Sequence, residues 1–286
     1  MKIRKAVIPV AGIGTRFFPA TKAVPKALLP VLDTPPLHYV VQEAIDAGLE
    51  HIILVVSKRQ ESIRRYFEDS GELEIPTGHR TENSIFERIR ALHKTVHVSY
   101  TNQDKQLGLG HAILSTKSII GDEMFAVLLP DDLIWHRKPV IEQMIELTAD
   151  KDRNIIALKE VSDELISSLG IVDSVPINKN TYRVTNLVEK PSLKEAPSNL
   201  GIVGRYVLTP EIFEMLSITK PGAGGEIQVT DALSKLLGSQ DIYGYRFKGT
   251  HFDVGIPLGL LKASVYEALR REALKDEFRS WLNKII

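Results

Sequence analysis

Apolar and polar positions along this chain follow two periods, and the switch between them marks its elements. Lys5 to Val10 is a short apolar run that predicts a buried strand. Leu37, Val40, Val41, Ala44 and Ile45 recur at i, i+3, i+4, i+7 and i+8, one face of a helix, and Gly48 stops it at a C-terminal cap position. His51 to Val56 repeats the strand pattern. Arg59 to Phe67 repeats the helical one, with Ile63, Tyr66 and Phe67 inward. Residues 70–83 are polar and turn-rich, and predict a mobile excursion. Val96, Val98 and Tyr100 alternate as a strand, and a helix is expected from about Leu109. Met124 to Leu129 is a further apolar strand, ended by Pro130-Asp131-Asp132. Pro139 opens a helix with Val140, Ile141, Met144 and Ile145 inward, and Asn154 to Val161 is again a strand.

Strands and helices alternating at short spacing imply crossover units. The expected fold class is therefore α/β: a Rossmann-like three-layer α/β/α arrangement around a central, mainly parallel mixed sheet. Beyond about residue 165 the pattern loosens. Strands near 182–190 and 200–208 and a helix near 229–237 suggest a second lobe built onto the sheet. Leu274, Phe278, Trp281, Leu282 and Ile285 form one apolar stripe of a helical tail. Ligands of such sheets bind beyond the carboxyl ends of the strands. Three polar features fall there: the loop of residues 11–26, the segment Gln103 to His111, and Pro130-Asp131-Asp132.

Charge alters this picture in one place. The 286 residues carry 36 Lys plus Arg against 36 Asp plus Glu, so no global field recruits nucleic acid or a membrane surface. Any anion site must be local. There is no cysteine, which excludes disulfides, thiolate catalysis and cysteine metal sites. The basic N-terminus with its short apolar run does not read as a signal peptide, and a cytoplasmic location is expected. Against this neutral background the first loop, AGIGTRFFPATKAVPK, holds Arg16, Lys22 and Lys26 and no acid. It fails the GxxxxGK[ST] template, and Phe17 stands where GxGxxG needs its third glycine. Its physics still suits phosphate: glycines let N–H groups converge on an anion, Arg16 is a planar fork, and Pro19 and Pro25 stiffen the chain that carries Lys22 and Lys26.

The loop resembles the signature of the sugar-nucleotide pyrophosphorylases. Further blocks match in order: Gln103 with Gly108 to Ala112, Leu129-Pro130-Asp131, Val188 to Pro191, Ser198 to Tyr206, and Pro221 to Gln228. Within that group the chain most resembles the bacterial UTP–glucose-1-phosphate uridylyltransferases, on Ala20 to Ala23, SNLGIVGRYVL and PGAGGEIQVTDAL. The resemblance implies a single nucleotide-diphospho-sugar transferase domain, with a nucleotide-binding half over about 1–150, a sugar-phosphate lobe over about 151–256 and a helical segment over about 257–286. It implies transfer of uridylyl from UTP to glucose 1-phosphate, giving UDP-glucose and pyrophosphate, with Mg²⁺ as cofactor. It also implies a homodimer or homotetramer.

Residue roles follow from the same resemblance. Arg16 is expected to clamp the triphosphate and Lys26 to bridge the reacting phosphates. Ala11, Gly12, Gly14 and Thr15 would contact the nucleotide, and Gln103 and Gly108 would read the pyrimidine edge. Asp131 and Asp253 would hold the metal, with Asp132 as a cap or a ribose contact. Lys190 would hold the sugar phosphate, while Gly170, Glu189, Asn199, Val203, Gly204 and Glu226 complete the sugar pocket. One tension is internal to the motif. Pro191 favours an extended Lys190, and strand alternation would then send Glu189 and Lys190 to opposite faces. Departures from the pattern are Lys26-Ala27-Leu28 for Lys-Glu-Met, Leu169 for an aromatic, and Gly225 for Asp. A related enzyme using dTTP and a non-catalytic nucleotide-sugar sensor are the alternatives.

Overall fold

A computed structural model describes residues 3–58, 60–67 and 96–285. Arg59, Ile286, His79, His93 and the excursion expected over 70–83 lie outside the described residues. Eleven strands are present among those described: β1 (Lys5–Pro9), β2 (His51–Val56), β3 (His97–Asn102), β4 (Phe125–Leu128), β5 (Asp132–Trp135), β6 (Asn154–Glu160), β7 (Gly170–Pro176), β8 (Thr181–Glu189), β9 (Leu200–Leu208), β10 (Ile242–Arg246) and β11 (Thr250–Asp253). Nine form one sheet in the order β3-β2-β1-β4-β9-β6-β10-β8-β7. The sheet is mixed. Its parallel part is β3-β2-β1-β4 together with the β6–β10 pair. β9 returns antiparallel between β4 and β6, and β7 and β8 pair antiparallel.

Both faces of the sheet are covered, which explains the continuous apolar runs. In β1, Ala6 and Ile8 face one core while Val7 faces the other; in β2, Ile52, Leu54 and Val56 oppose Ile53 and Val55. A strand buried on both sides has no polar face to alternate with. Leu37, Val40, Val41 and Ala44 of the helix Pro36–Asp46 pack on the first face, with Val140, Ile141 and Met144 of the helix Val140–Glu146. The helices Leu109–Leu114, Ile212–Ile218 and Val229–Leu236 cover the second. The layers are thus α/β/α.

A second, two-stranded ribbon stands apart from this sheet. β5 and β11 pair antiparallel, and their register sets Asp132 opposite Asp253. These four-residue strands, DLIW and THFD, are too short to show a period. The helix Pro257–Arg270 packs directly on the ribbon's end: a Cβ on Gly259 would collide with the Asp253 carbonyl, so only glycine allows that approach.

Phe125 of β4 and Phe213 are fully buried and stack at 5.2 Å between ring centroids, 7° from parallel. Truncating Phe213→Ala removes this pair and leaves a cavity in the second core. Chemical denaturation should then show a loss of about 3–5 kcal/mol.

Candidate active site

The loop after β1 folds around one side chain. Gly14 sits at φ 71°, a left-handed conformation that suits glycine. A Cβ there would lie 2.8 Å from Lys26 Cβ, and one on Gly12 would lie 3.4 Å from Lys26 Cε. Both glycines therefore make room for the Lys26 stem. Side chains from elsewhere pin the loop: Gln60 Nε2 donates to the Val10 carbonyl (2.7 Å), Gln106 Nε2 to that of Ala11 (2.6 Å), and Thr21 Oγ1 to that of Gly14 (2.8 Å). Thr15 and Arg16 stay exposed at its rim.

The Lys26 ammonium ends on the Asp131 carboxylate in an ion pair. Asp131 lies in the turn between β4 and the ribbon, and its carbonyl accepts from the Val254 N–H (2.7 Å), which draws in the end of β11. Asp253 is consequently its neighbour. A Cβ on Gly255 would lie 2.9 Å from Asp253 Oδ1 and 3.2 Å from Asp131 Oδ2, so glycine leaves open a cradle between two carboxylates. Burial, then the charge of Asp132, raises the Asp253 carboxyl above its ordinary value; the Asp131 charge adds to this, while Arg16 pulls it back. Among the described residues no group of three or more His, Cys, Asp or Glu is placed to hold a metal ion. Asp131 and Asp253 are a two-carboxylate site of hard oxygen donors, which fits a divalent cation that shares its shell with phosphate and water.

Asp132 does different work from its neighbour. Its Oδ2 accepts the Gly204 N–H (3.0 Å) and its Oδ1 meets His251 Nε2 (2.6 Å), with Lys159 Nζ 3.4 Å from His251 Nδ1. Burial alone would raise its carboxyl, but the His251 hydrogen bond, the His251 and Arg205 charges and the Gly204 N–H hold it below the ordinary value. Its Oδ1 thus holds the paired strand of the ribbon through His251, and its Oδ2 ties the ribbon to β9. Gly204 likewise serves packing: a Cβ there would collide with Asp132 Oδ2 and Leu129.

At the far edge of the sheet, Glu189 ends β8 opposite Gly170, and Lys190 follows at φ 47°. The extended Lys190 expected from Pro191 is therefore corrected to a left-handed one. Its N–H is drawn to the Leu169 carbonyl (3.0 Å), and that contact overrides the local preference. The turn also resolves the strand-face problem, since Lys190 Nζ comes to 3.2 Å from Glu189 Oε1. Thr230 closes the floor: its Oγ1 would lie 2.7 Å from a Cβ on Gly170. Val203 is buried within β9, and Asn199 is exposed just before it, its carbonyl accepting the Val161 N–H (2.9 Å).

Two backbone bonds join residues 107–110 to Ile227. The Ile227 N–H donates to Leu107 (2.7 Å) and the Gly110 N–H to Ile227 (2.8 Å). Gly108, at φ 93°, sits against Glu226, whose Cβ would be 2.6 Å from any Cβ placed there. Gln103 is buried; its Nε2 donates to the Gly108 carbonyl (2.9 Å) and meets His111 Nδ1 (3.1 Å). These bonds occupy the amide's Nε2 and orient the side chain. Tyr206 is buried between the clusters, its phenol raised by burial and then by Asp132 and Glu189.

A nucleotidyl transferase family profile matches residues 5–268. The chain belongs to the nucleotidyl transferase family. It is 43% identical over 284 residues, 99% of its length and 98% of the relative's, to a UTP–glucose-1-phosphate uridylyltransferase 2 of Staphylococcus saprophyticus. Among solved structures, a UDP-glucose pyrophosphorylase complexed with UDP-glucose aligns at TM-score 0.88 and 40% identity, covering 94% of this chain and all of that one. A UTP-bound UGPase from Acinetobacter baumannii aligns at TM-score 0.89 and 38% identity, covering 99% and 100%.

This nucleotidyltransferase also uses residues that the sequence reading missed. Gln60, Gln106 and Thr21 carry no distinguishing signal as isolated polar residues. Arg205 did carry one, because it is the only charged residue in the nine-residue apolar strand β9. His251 and Lys159 become visible only once β11 and β6 are side by side with Asp132.

The raised Asp253 carboxyl has a consequence for stability. A carboxyl above its ordinary value of 3.8 favours folding most when protonated, and that contribution is lost as pH rises through the folded value. Without divalent metal, Asp253→Asn should therefore melt slightly higher than the natural chain at pH 7, a gain kept small because Asp253 is exposed and solvent screens its charge. The difference should vanish at acid pH in thermal scans with chelator.

Proposed function

We propose that this nucleotidyltransferase moves the uridylyl group of UTP to α-D-glucose 1-phosphate and releases pyrophosphate, leaving UDP-glucose. The observation that carries the reading is the cluster Arg16, Lys26, Asp131 and Asp253 on one side and Glu189 with Lys190 on the other, joined through Gly108 and Glu226. A sugar phosphate oxygen attacks the α-phosphorus, and the bond from that phosphorus to the bridging oxygen of pyrophosphate breaks. No protein nucleophile is needed; positioning and charge stabilisation supply the rate. Asp131 and Asp253 would hold Mg²⁺, which supplies a Lewis acid for the phosphate oxygens.

The chain's own groups divide the rest. Lys26 is already delivered to the reacting centre by its glycine-lined channel, and the exposed Arg16, whose charge acts on Asp253, steadies the triphosphate. Backbone N–H groups of Ala11 to Thr15 surround the phosphates. Gln103 Oε1 and the Gly108 backbone face the base. Lys190 meets the sugar phosphate and Glu189 the hexose hydroxyls, with Gly170, Asn199, Val203 and Glu226 around them. The reaction belongs in the cytoplasm, where both substrates are soluble. An exposed C-terminal helix, Lys275–Ile285, with Trp281 and Ile285 open to solvent, supports assembly into a homodimer or homotetramer.

Pyrophosphate release from a panel of nucleoside triphosphates and hexose 1-phosphates with Mg²⁺ tests the assignment. UTP with glucose 1-phosphate should exceed every other pair, and release with dTTP far above UTP would refute the pyrimidine assignment. Asp131→Ala should lower kcat by about a thousandfold while circular dichroism stays native. Lys190→Ala should raise KM for glucose 1-phosphate and leave that for UTP near its starting value; the reverse would exchange the two subsites.

A further inference from the structure

Arg205 is fully buried in the middle of β9, where its neighbours Val203, Tyr206 and Val207 are apolar or aromatic. A guanidinium there is costly unless every N–H is met. All five are. Nε donates to Glu43 (3.0 and 3.1 Å), and Nη2 donates to Glu43 Oε2 (2.6 Å) and to the Asp132 carbonyl (2.8 Å). Nη1 donates to the carbonyls of Leu129 (3.1 Å) and Gly204 (2.8 Å). Two of these acceptors, Leu129 and Asp132, bracket Pro130 and Asp131.

That turn is where the chain leaves the main sheet at the end of β4 and enters the ribbon at β5. Pro130 offers no N–H to anchor it. The guanidinium instead grips one carbonyl on each side of Asp131, and Glu43 supplies the counter-charge from the helix Pro36–Asp46. We propose that Arg205, oriented by Glu43, is a positioning residue of the transfer reaction: it fixes the Leu129–Asp132 turn so that the Asp131 carboxylate stands beside that of Asp253. A lone apolar side chain would fill β9 without this cost, and an ammonium has three donors in place of the five-donor planar fork. The inference rests on the reading of Asp131 and Asp253 as a divalent-cation site.

The test uses the full chain with Arg205→Lys and Glu43→Gln, and Mn²⁺ as the probe, its free concentration read by electron paramagnetic resonance. Groups that orient metal ligands typically contribute roughly ten- to a hundredfold in metal affinity, and Arg205→Lys should weaken Mn²⁺ binding by that factor. The Mg²⁺ concentration for half-maximal activity should rise in step, while KM for UTP at saturating Mg²⁺ changes little. Glu43→Gln keeps the side-chain shape and should act in the same direction more weakly. Native circular dichroism with unchanged Mn²⁺ affinity in Arg205→Lys would overturn the proposal. Loss of folding in both variants would assign Arg205 to folding alone and overturn it too. If Mn²⁺ binding to the natural chain is insensitive to Asp131→Ala, the two-carboxylate reading itself falls and the clamp with it.

Discussion

Three carboxylates share the end of one short ribbon, and the surrounding structure is organised by the need to keep them there. Asp132 and Asp253 are register partners and Asp131 directly precedes the first of them. Like charges this close repel, and partial burial strengthens the repulsion. Each carboxylate is offset differently. Asp131 takes the Lys26 ammonium, Asp132 takes His251 and the Gly204 N–H, and Asp253 has the Gly255 N–H and the Arg16 charge, which burial and the Asp132 charge outweigh, so its carboxyl is raised. The division separates tasks: one acid ties the ribbon to the sheet, and the other two carboxylates meet at the Gly255 cradle.

Glycine is the means by which these groups approach one another. Gly12 and Gly14 admit the Lys26 stem, Gly255 leaves the space between Asp131 and Asp253, and Gly259 lets a helix close on the Asp253 backbone. The first loop is thus shaped from within by its own lysine. This gives the two glycines of the first loop a packing reason besides contact with a ligand, and it explains why Lys26 lies two prolines downstream of them. A chain that must turn away from β1 and return its lysine to the same edge needs that length.

Glu189 and Lys190 make a related point about backbone. Read as a strand they point apart, and read as a strand end with one left-handed residue they point together. Strained backbone at Lys190 is maintained by its own N–H donating to the Leu169 carbonyl just before β7, and the result is a paired acid and base at the end of β8. In the fold as a whole, β5, β11 and β9 show the same dependence. Their partners decide their direction, and no local pattern in DLIW or THFD announces a ribbon.

Much of the molecule was nonetheless legible in its residues. The apolar runs from Lys5, His51, Met124 and Asn154 determined buried strands, because a strand covered on both faces has no polar side. The i, i+3, i+4 spacing from Leu37 determined the helix that packs on them. Zero net charge, with glycines and cations gathered in the first loop, determined that any anion site would be local, and the ordered blocks from Gly12 to Gln228 placed the chain in its family. Tertiary structure alone decided which cation meets which acid. Lys26 reaches Asp131, Asp132 turns inward to His251, and Arg205 grips the turn between them, since charge pairing acts through distances that the fold sets between residues far apart in sequence.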